Sequence, residues 1–148
     1  MLNGISPLLS PELLKTLAEM GHGDYLVIGD GNFPAASVGK EGRVIRADGH
    51  GVPELLRAIL PLFPLDTYVE HPVGLMRVNP GDPVETPIWD TYREILAAHD
   101  GRGAAMIEEI ERFAFYEKAR HAFAVIATGE SALYANIILQ KGVVRTHE

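Results

Sequence analysis

The sequence predicts a single α/β domain with a mostly parallel central sheet flanked by helices, and three observations lead there. The chain has 148 residues, one domain's worth when a domain takes about 150. Its residues are 47% apolar and 22% charged, the composition of an ordinary globule able to bury a core. Short apolar runs alternate with amphipathic helical stretches, and the 15 glycines and 10 prolines punctuate them without dividing the chain. No internal repeat or low-complexity segment appears, so residues 1–148 read as one domain.

The elements follow in order. Ser10 can cap a helix, Pro11 suits its first position and Glu12 its positive end. Leu13, Leu14, Leu17 and Met20 make one apolar face, and Gly21 ends it. Tyr25-Leu26-Val27-Ile28-Gly29-Asp30 reads as a buried strand. Residues 43–48 read as a second strand ending in Asp48-Gly49. Pro53 opens a helix with Leu55, Leu56, Ile59 and Leu60 on its face, which Pro61 curtails. Residues 73–78 are a strand, and Pro87 opens a helix carrying Ile88, Tyr92, Ile95 and Leu96. Residues 104–113 are ambiguous, because Met106, Ile107, Ile110 and Phe113 have helical spacing among flanking strands. A helix near residues 115–122 and strands near 123–127 and 136–139 complete the chain.

Composition excludes several functions. There are no cysteines, hence no disulfide, thiolate metal site or cysteine nucleophile. The net charge of −7 and scattered basic residues argue against nucleic acid. No apolar run has the length of a membrane span, and the amino end carries no secretory pattern, so the cytoplasm is the expected compartment. The histidines (His22, His50, His71, His99, His121 and His147) form no HxH or HExxH spacing, so no metal is expected. No phosphate-binding GxxxxGK[ST] loop and no GxSxG elbow occurs, and Gly29-Asp30-Gly31 lacks the last glycine of a dinucleotide fingerprint.

Ligands of parallel sheets bind beyond the strands' carboxyl ends, which directs attention to Asp30 and Asp48. Gly21-His22-Gly23-Asp24 sets a histidine between two bare backbones, where it can give or take a proton near neutral pH. The plainer reading is a loop histidine bonded to a carbonyl. Asp30 could bind hydroxyls or orient His22, or satisfy its own turn. Arg112-Phe113-Ala114-Phe115-Tyr116-Glu117 offers rings and polar tips suited to a sugar. Equally, Phe113 and Phe115 would be core, with Arg112 and Glu117 a solvated pair. Tyr134-Ala135-Asn136 follows a predicted strand end, and Tyr134 and Asn136 would share one face if extended. The bland alternative there is a turn.

Together these blocks resemble the D-ribose pyranase and L-fucose mutarotase family, and its fucose branch in particular. The likeness is carried by Ile5-Ser6-Pro7-Leu8-Leu9-Ser10-Pro11-Glu12-Leu13-Leu14, Met20-Gly21-His22-Gly23-Asp24, Asp30 with Phe33-Pro34-Ala35, and Val44-Ile45-Arg46-Ala47-Asp48-Gly49. Arg112-Phe113-Ala114-Phe115-Tyr116-Glu117, Thr128-Gly129-Glu130 and Tyr134-Ala135-Asn136-Ile137-Ile138-Leu139 extend it over nearly the whole chain. Tyr116 stands where the ribose branch tends to have histidine, and residues 78–102 depart in detail from the fucose pattern. The resemblance implies an α/β fold, homo-oligomeric rings (typically decamers) with sites near subunit contacts, and no cofactor. It implies His22 as proton donor and Asp30, Arg112, Tyr134 and Asn136 as substrate-binding residues, with Tyr116 a further polar group. It also implies that residues 104–112 are mostly strand.

The implied reaction interconverts the anomers of L-fucose or a related aldose by opening and reclosing the ring. An acid and a base at fixed positions suffice, each worth roughly 10²–10⁴-fold. The expected partner is therefore a monosaccharide, and neither nucleic acid nor a membrane. D-ribose pyranase activity and a non-catalytic sugar-binding module are the alternatives. A glycosidase has less to recommend it, since no pair of acids is singled out.

Overall fold

The structure is a computed structural model that describes residues 1–40 and 43–146. His147 lies outside the described residues. Helix α1 (Pro11–Glu19) starts as its sequence dictates, with Ser10 Oγ accepting the Leu13 N–H at 3.1 Å. Strand β1 (Tyr25–Gly29), the short helix α2 (Ala35–Val38), strand β2 (Val44–Ala47) and helix α3 (Val52–Ile59) follow. A 3₁₀ turn, Leu60–Leu62, carries Pro61 at the end of α3. Then come β3 (Val73–Met76), α4 (Pro87–His99), a 3₁₀ turn at Gly103–Met106, β4 (Ile107–Ile110), α5 (Arg112–Arg120), β5 (Ala124–Thr128) and β6 (Ile137–Gln140).

These strands form one six-stranded sheet in the order β2-β5-β1-β6-β3-β4. The pairs β1–β5, β2–β5 and β3–β4 are parallel, whereas β6 runs antiparallel to both β1 and β3. The sheet is thus mostly parallel, with one reversed strand in its interior. Alternate residues of β1 enter two cores. Leu26 and Ile28 pack with Leu13, Leu55, Ile59 and Tyr92 of α1, α3 and α4. Val27 packs on the other face with Val38 of α2 and Phe115 and Ala119 of α5. Burial on both faces explains why the central strands read as unbroken apolar runs.

Several expectations are corrected. Residues 104–112 are not mostly strand, because the 3₁₀ turn takes the first part and β4 only Ile107–Ile110. Their helical spacing arises from that turn: Met106 faces the larger core while Ile110 packs on the other face. The following helix begins at Arg112, because Glu111 caps it with bonds from the Phe113 and Ala114 N–H groups. Phe113 is exposed, not core, and Glu117 pairs with Arg120 and His121 instead of Arg112. The last strand starts at Ile137, and Tyr134 is left-handed (φ 54°), not extended. Helix α2 is an element the sequence reading lacks. It is a single turn, too short to show a period.

Candidate functional site

The carboxyl ends of β1, β3 and β4 and the amino end of the reversed β6 meet at one edge of the sheet. That edge holds an open cleft of about 340 Å³, lined by Asp30, Asn32, Phe33, Met76, Arg112, Tyr116 and the loop residues around Tyr134 and Asn136. All five substrate-binding residues expected from the sequence therefore converge: Asp30, Arg112, Tyr116, Tyr134 and Asn136. A size near the lower end of small-molecule sites, roughly 300–1,000 Å³, suits a monosaccharide.

Asp30 and Asn136 are buried at the floor and hold each other. Asn136 Oδ1 accepts the Asp30 N–H at 2.7 Å. The Asp30 carboxylate accepts the Asn32 N–H at 3.0 Å and the Ala135 N–H at 3.3 Å. Burial raises the Asp30 carboxyl above the ordinary range, against the pull of these N–H bonds, with Glu130 adding a smaller push upward. The space above the floor depends on Gly29, where a Cβ would come within 2.8 Å of the Phe33 ring. A larger residue would displace that ring, which lines the cleft. Phe33 in turn lies edge-on to Phe115 and tilted against Tyr116.

Arg112, the first residue of α5, lays its guanidinium near the Tyr116 and Phe113 rings, with Cζ 5.7 and 5.3 Å from their centroids. The Tyr134 hydroxyl donates to Asp82 Oδ2 at 2.6 Å and accepts the Asn79 N–H at 3.3 Å. Its bond to Asp82 holds the phenol above its ordinary value. Helix α4 fixes the backbone beneath. Trp89 Nε1 donates to the Tyr134 carbonyl at 2.8 Å and the Tyr92 hydroxyl to the Ala135 carbonyl at 2.6 Å. Burial raises the Tyr92 phenol strongly, so it stays a neutral donor. The strained left-handed turn at Tyr134 is thus held from two sides.

The structure does not bring His22 to this cleft. His22 precedes β1 and Asp30 follows it, so the strand separates them by about 16 Å at roughly 3.3 Å per residue. Asp30 does not orient His22. The ring lies instead against Asp66, with His22 Nε2 and Asp66 Oδ1 3.0 Å apart. The ring is 46% exposed, while Asp66 is buried.

Sequence reasoning missed Asn79, Asp82, Trp89, Tyr92 and Asp66. Asn79-Pro80-Gly81-Asp82 is a turn cluster just after a predicted strand, so the strand-end rule that selected Asp30 would have found it. Tyr92 reads only as part of the helix's apolar face, and Trp89, a helical turn before it, falls outside the pattern picked out there. Nothing local marks Asp66. Among the described residues no helix is long and apolar enough to cross a membrane.

The comparisons agree with the resemblance. The fucose mutarotase of Danio rerio is 54% identical, covering 100% of this chain and 97% of its own. The structure of FucU from Bifidobacterium longum superposes with a TM-score of 0.94 at 63% identity, covering 96% of this chain and 99% of that one. The fucose mutarotase of Streptococcus pneumoniae, solved in complex with L-fucose, gives a TM-score of 0.91 at 49% identity, covering 97% of this chain and 100% of that one. Residues 3–144 match one family over nearly the full length, and with the same fold in these structures the chain belongs to the RbsD / FucU transport protein family.

Proposed function

We propose that the protein is a cofactor-independent isomerase that interconverts the pyranose anomers of L-fucose, supporting monosaccharide use in the cytoplasm. One observation carries the reading: a carboxylate, a guanidinium, a phenol and an amide (Asp30, Arg112, Tyr134 and Asn136) converge on a monosaccharide-sized cleft beside the rings of Phe33 and Tyr116. Polar tips of this kind recognise hydroxyls, and rings cover the apolar face and methyl group of a deoxysugar. The fucose mutarotase names and the L-fucose complex among the relatives support the choice of sugar.

The chemistry needs no group or electron transfer. The anomeric hydroxyl loses its proton, the ring oxygen gains one and the bond between C1 and the ring oxygen breaks. The aldehyde turns about its bond to C2, and the ring hydroxyl attacks the other face while the proton transfers reverse. His22 moves one of these protons. Asp30, Arg112, Tyr134 and Asn136 hold the open chain close to the reclosing geometry, and Tyr116 lines the same cleft. His22 lies at the far edge of its own sheet, so the histidine that serves a cleft comes from a second copy. That requirement fits the ring assembly implied by the sequence resemblance.

The test is exchange NMR on equilibrated L-fucose, with D-ribose alongside. Faster exchange between the fucose anomers is expected. Acceleration with ribose alone would transfer the protein to pyranase chemistry. Binding of either sugar without acceleration would reduce it to a sugar-binding module.

A further inference from the structure

The loop between β3 and α4 closes on the tip of one side chain in the cleft. Asn79-Pro80-Gly81-Asp82 is a tight turn: the Asp82 N–H donates to the Asn79 carbonyl at 3.0 Å, and Gly81 takes a positive φ of 83°. Proline at the second position and a left-handed glycine at the third are the pattern of a type II turn. The turn therefore forms from its own four residues and brings its two ends together. Both ends meet the Tyr134 hydroxyl. Its hydrogen goes to Asp82 Oδ2 at 2.6 Å, and its oxygen accepts the Asn79 N–H at 3.3 Å. Asn79, Asp82 and Tyr134 all line the cleft, and Asp82 is exposed. From the other side, Trp89 Nε1 holds the Tyr134 carbonyl at 2.8 Å. Tyr134 is thus fixed at both its backbone and its tip.

We propose that Asp82 is the positioning residue of Tyr134: it holds the phenolic hydrogen away from the ligand, so that Tyr134 meets the sugar as a hydrogen-bond acceptor. The role rests on the mutarotase reading. A hydroxyl has one hydrogen to give and two lone pairs to receive with. An amide N–H only donates and a carboxylate only accepts, so the Tyr134 hydrogen belongs to Asp82 and one lone pair to Asn79. One lone pair remains, and only a donor can fill it. The other charged groups of the cleft do not replace Asp82. Arg112 donates only, and the Asp30 carboxylate is engaged by the Asn32 and Ala135 N–H groups. Ring and hydrogen are in place before the ligand arrives, so binding need not order them. Selectivity follows from the same count. A sugar that offers a hydroxyl hydrogen at this point completes the set, and an analogue that cannot donate there leaves it incomplete.

The test is a double-mutant cycle on the full-length protein, read as KM and kcat for fucose anomer exchange. Asp82→Asn keeps the size of the side chain but can turn its NH₂ toward the phenol oxygen, which frees the phenolic hydrogen. KM should rise about 3- to 10-fold, the worth of one hydrogen bond, while kcat changes less. In a Tyr134→Phe background the same substitution should add nothing, because Asp82 acts only through the hydroxyl. An unchanged KM in Asp82→Asn, or equal losses in both backgrounds, would overturn the proposal and leave the mutarotase reading intact. A second measurement checks the direction of the bond. The 2-, 3- and 4-deoxyfluoro analogues of L-fucose and its methyl fucosides each lack one donor while keeping an acceptor in its place. By NMR titration, one of them should bind the wild type about 3- to 10-fold more weakly than fucose does, and that deficit should vanish in Tyr134→Phe. If every deficit survives in Tyr134→Phe, the phenol is not the acceptor and the proposal is overturned. A wild type that accelerates no fucose exchange would sink the mutarotase reading and this role with it.

Discussion

Asp30 and Asn136 are locked by a reciprocal pair of bonds across the sheet edge. The Asn136 side-chain oxygen takes the Asp30 N–H, and the Asp30 carboxylate takes the N–H of Ala135, the residue before Asn136. The residue that the resemblance implies as a sugar contact is therefore also a strut of the sheet edge.

Asn136→Ala should consequently lose on two counts. Stability should drop by about 1–3 kcal/mol, the cost of leaving a buried N–H without a partner, and fucose binding should weaken. Urea unfolding and a sugar titration on the same preparation measure both. Weaker binding with unchanged stability would mean that the Asp30 N–H finds another acceptor.

The two buried aspartates should titrate on opposite sides of the ordinary value of about 3.9. Asp66 lies below it in the fold, so its contribution to stability is full above that value and fades as pH falls through its lowered pKa. Asp30 lies above it, so its contribution is full below the ordinary value and is lost as pH rises through its raised pKa. Side-chain carboxyl ¹³C titration should place Asp66 first and Asp30 second as the pH is raised. The reverse order would contradict the burial argument for Asp30.

Trp89→Phe removes the donor to the Tyr134 carbonyl but keeps an aromatic ring in the core. The net loss of one hydrogen bond, about 0.5–1.5 kcal/mol, should loosen the left-handed turn and raise KM for fucose more than it lowers kcat. A drop in kcat alone would show that the turn serves the proton transfer and not the grip on the sugar.

Mixing tests the shared site. His22→Ala and Arg112→Ala chains should each be nearly inactive. When they are refolded together in equal amounts, roughly one site in four should combine an intact histidine with an intact cleft, if neighbours in a ring exchange those parts. Recovered anomer exchange near that fraction is expected. No recovery in a mixed oligomer of native size would place the whole site within one chain.

Much of this was legible in the sequence, for local reasons. Ser10-Pro11-Glu12, the glycines around β1 and the prolines opening α3 and α4 act over a few residues, and each element formed near its expected place. The strand-end rule pointed to Asp30 and to the stretch that holds Tyr134 and Asn136, the resemblance added Arg112, and all four line one cleft; Asp48, which the same rule singled out, lies away from it and pairs with Arg46. What escaped was long-range. The partner of His22 lies 44 residues away, where no local pattern marks it. Trp89 and Tyr92 brace a turn more than 40 residues distant, and no spacing rule links them to it. Residues 104–110 misled because one 3₁₀ turn followed by a short strand imitates a helix over that span.

The reversal of β6 has one last effect. Its first neighbour, Asn136, belongs to the cleft, and its last residue, Gln140, bonds Asp66 at the opposite end. Four residues of rigid strand therefore keep the two halves of the proposed chemistry a fixed span apart, and no bending of one subunit can bring them together. If each site is shared between two copies, as proposed, a newly made chain would hold every ingredient and no finished catalyst. Activity per molecule would then rise with protein concentration and vanish on sufficient dilution, so that expression level itself sets a threshold for turnover.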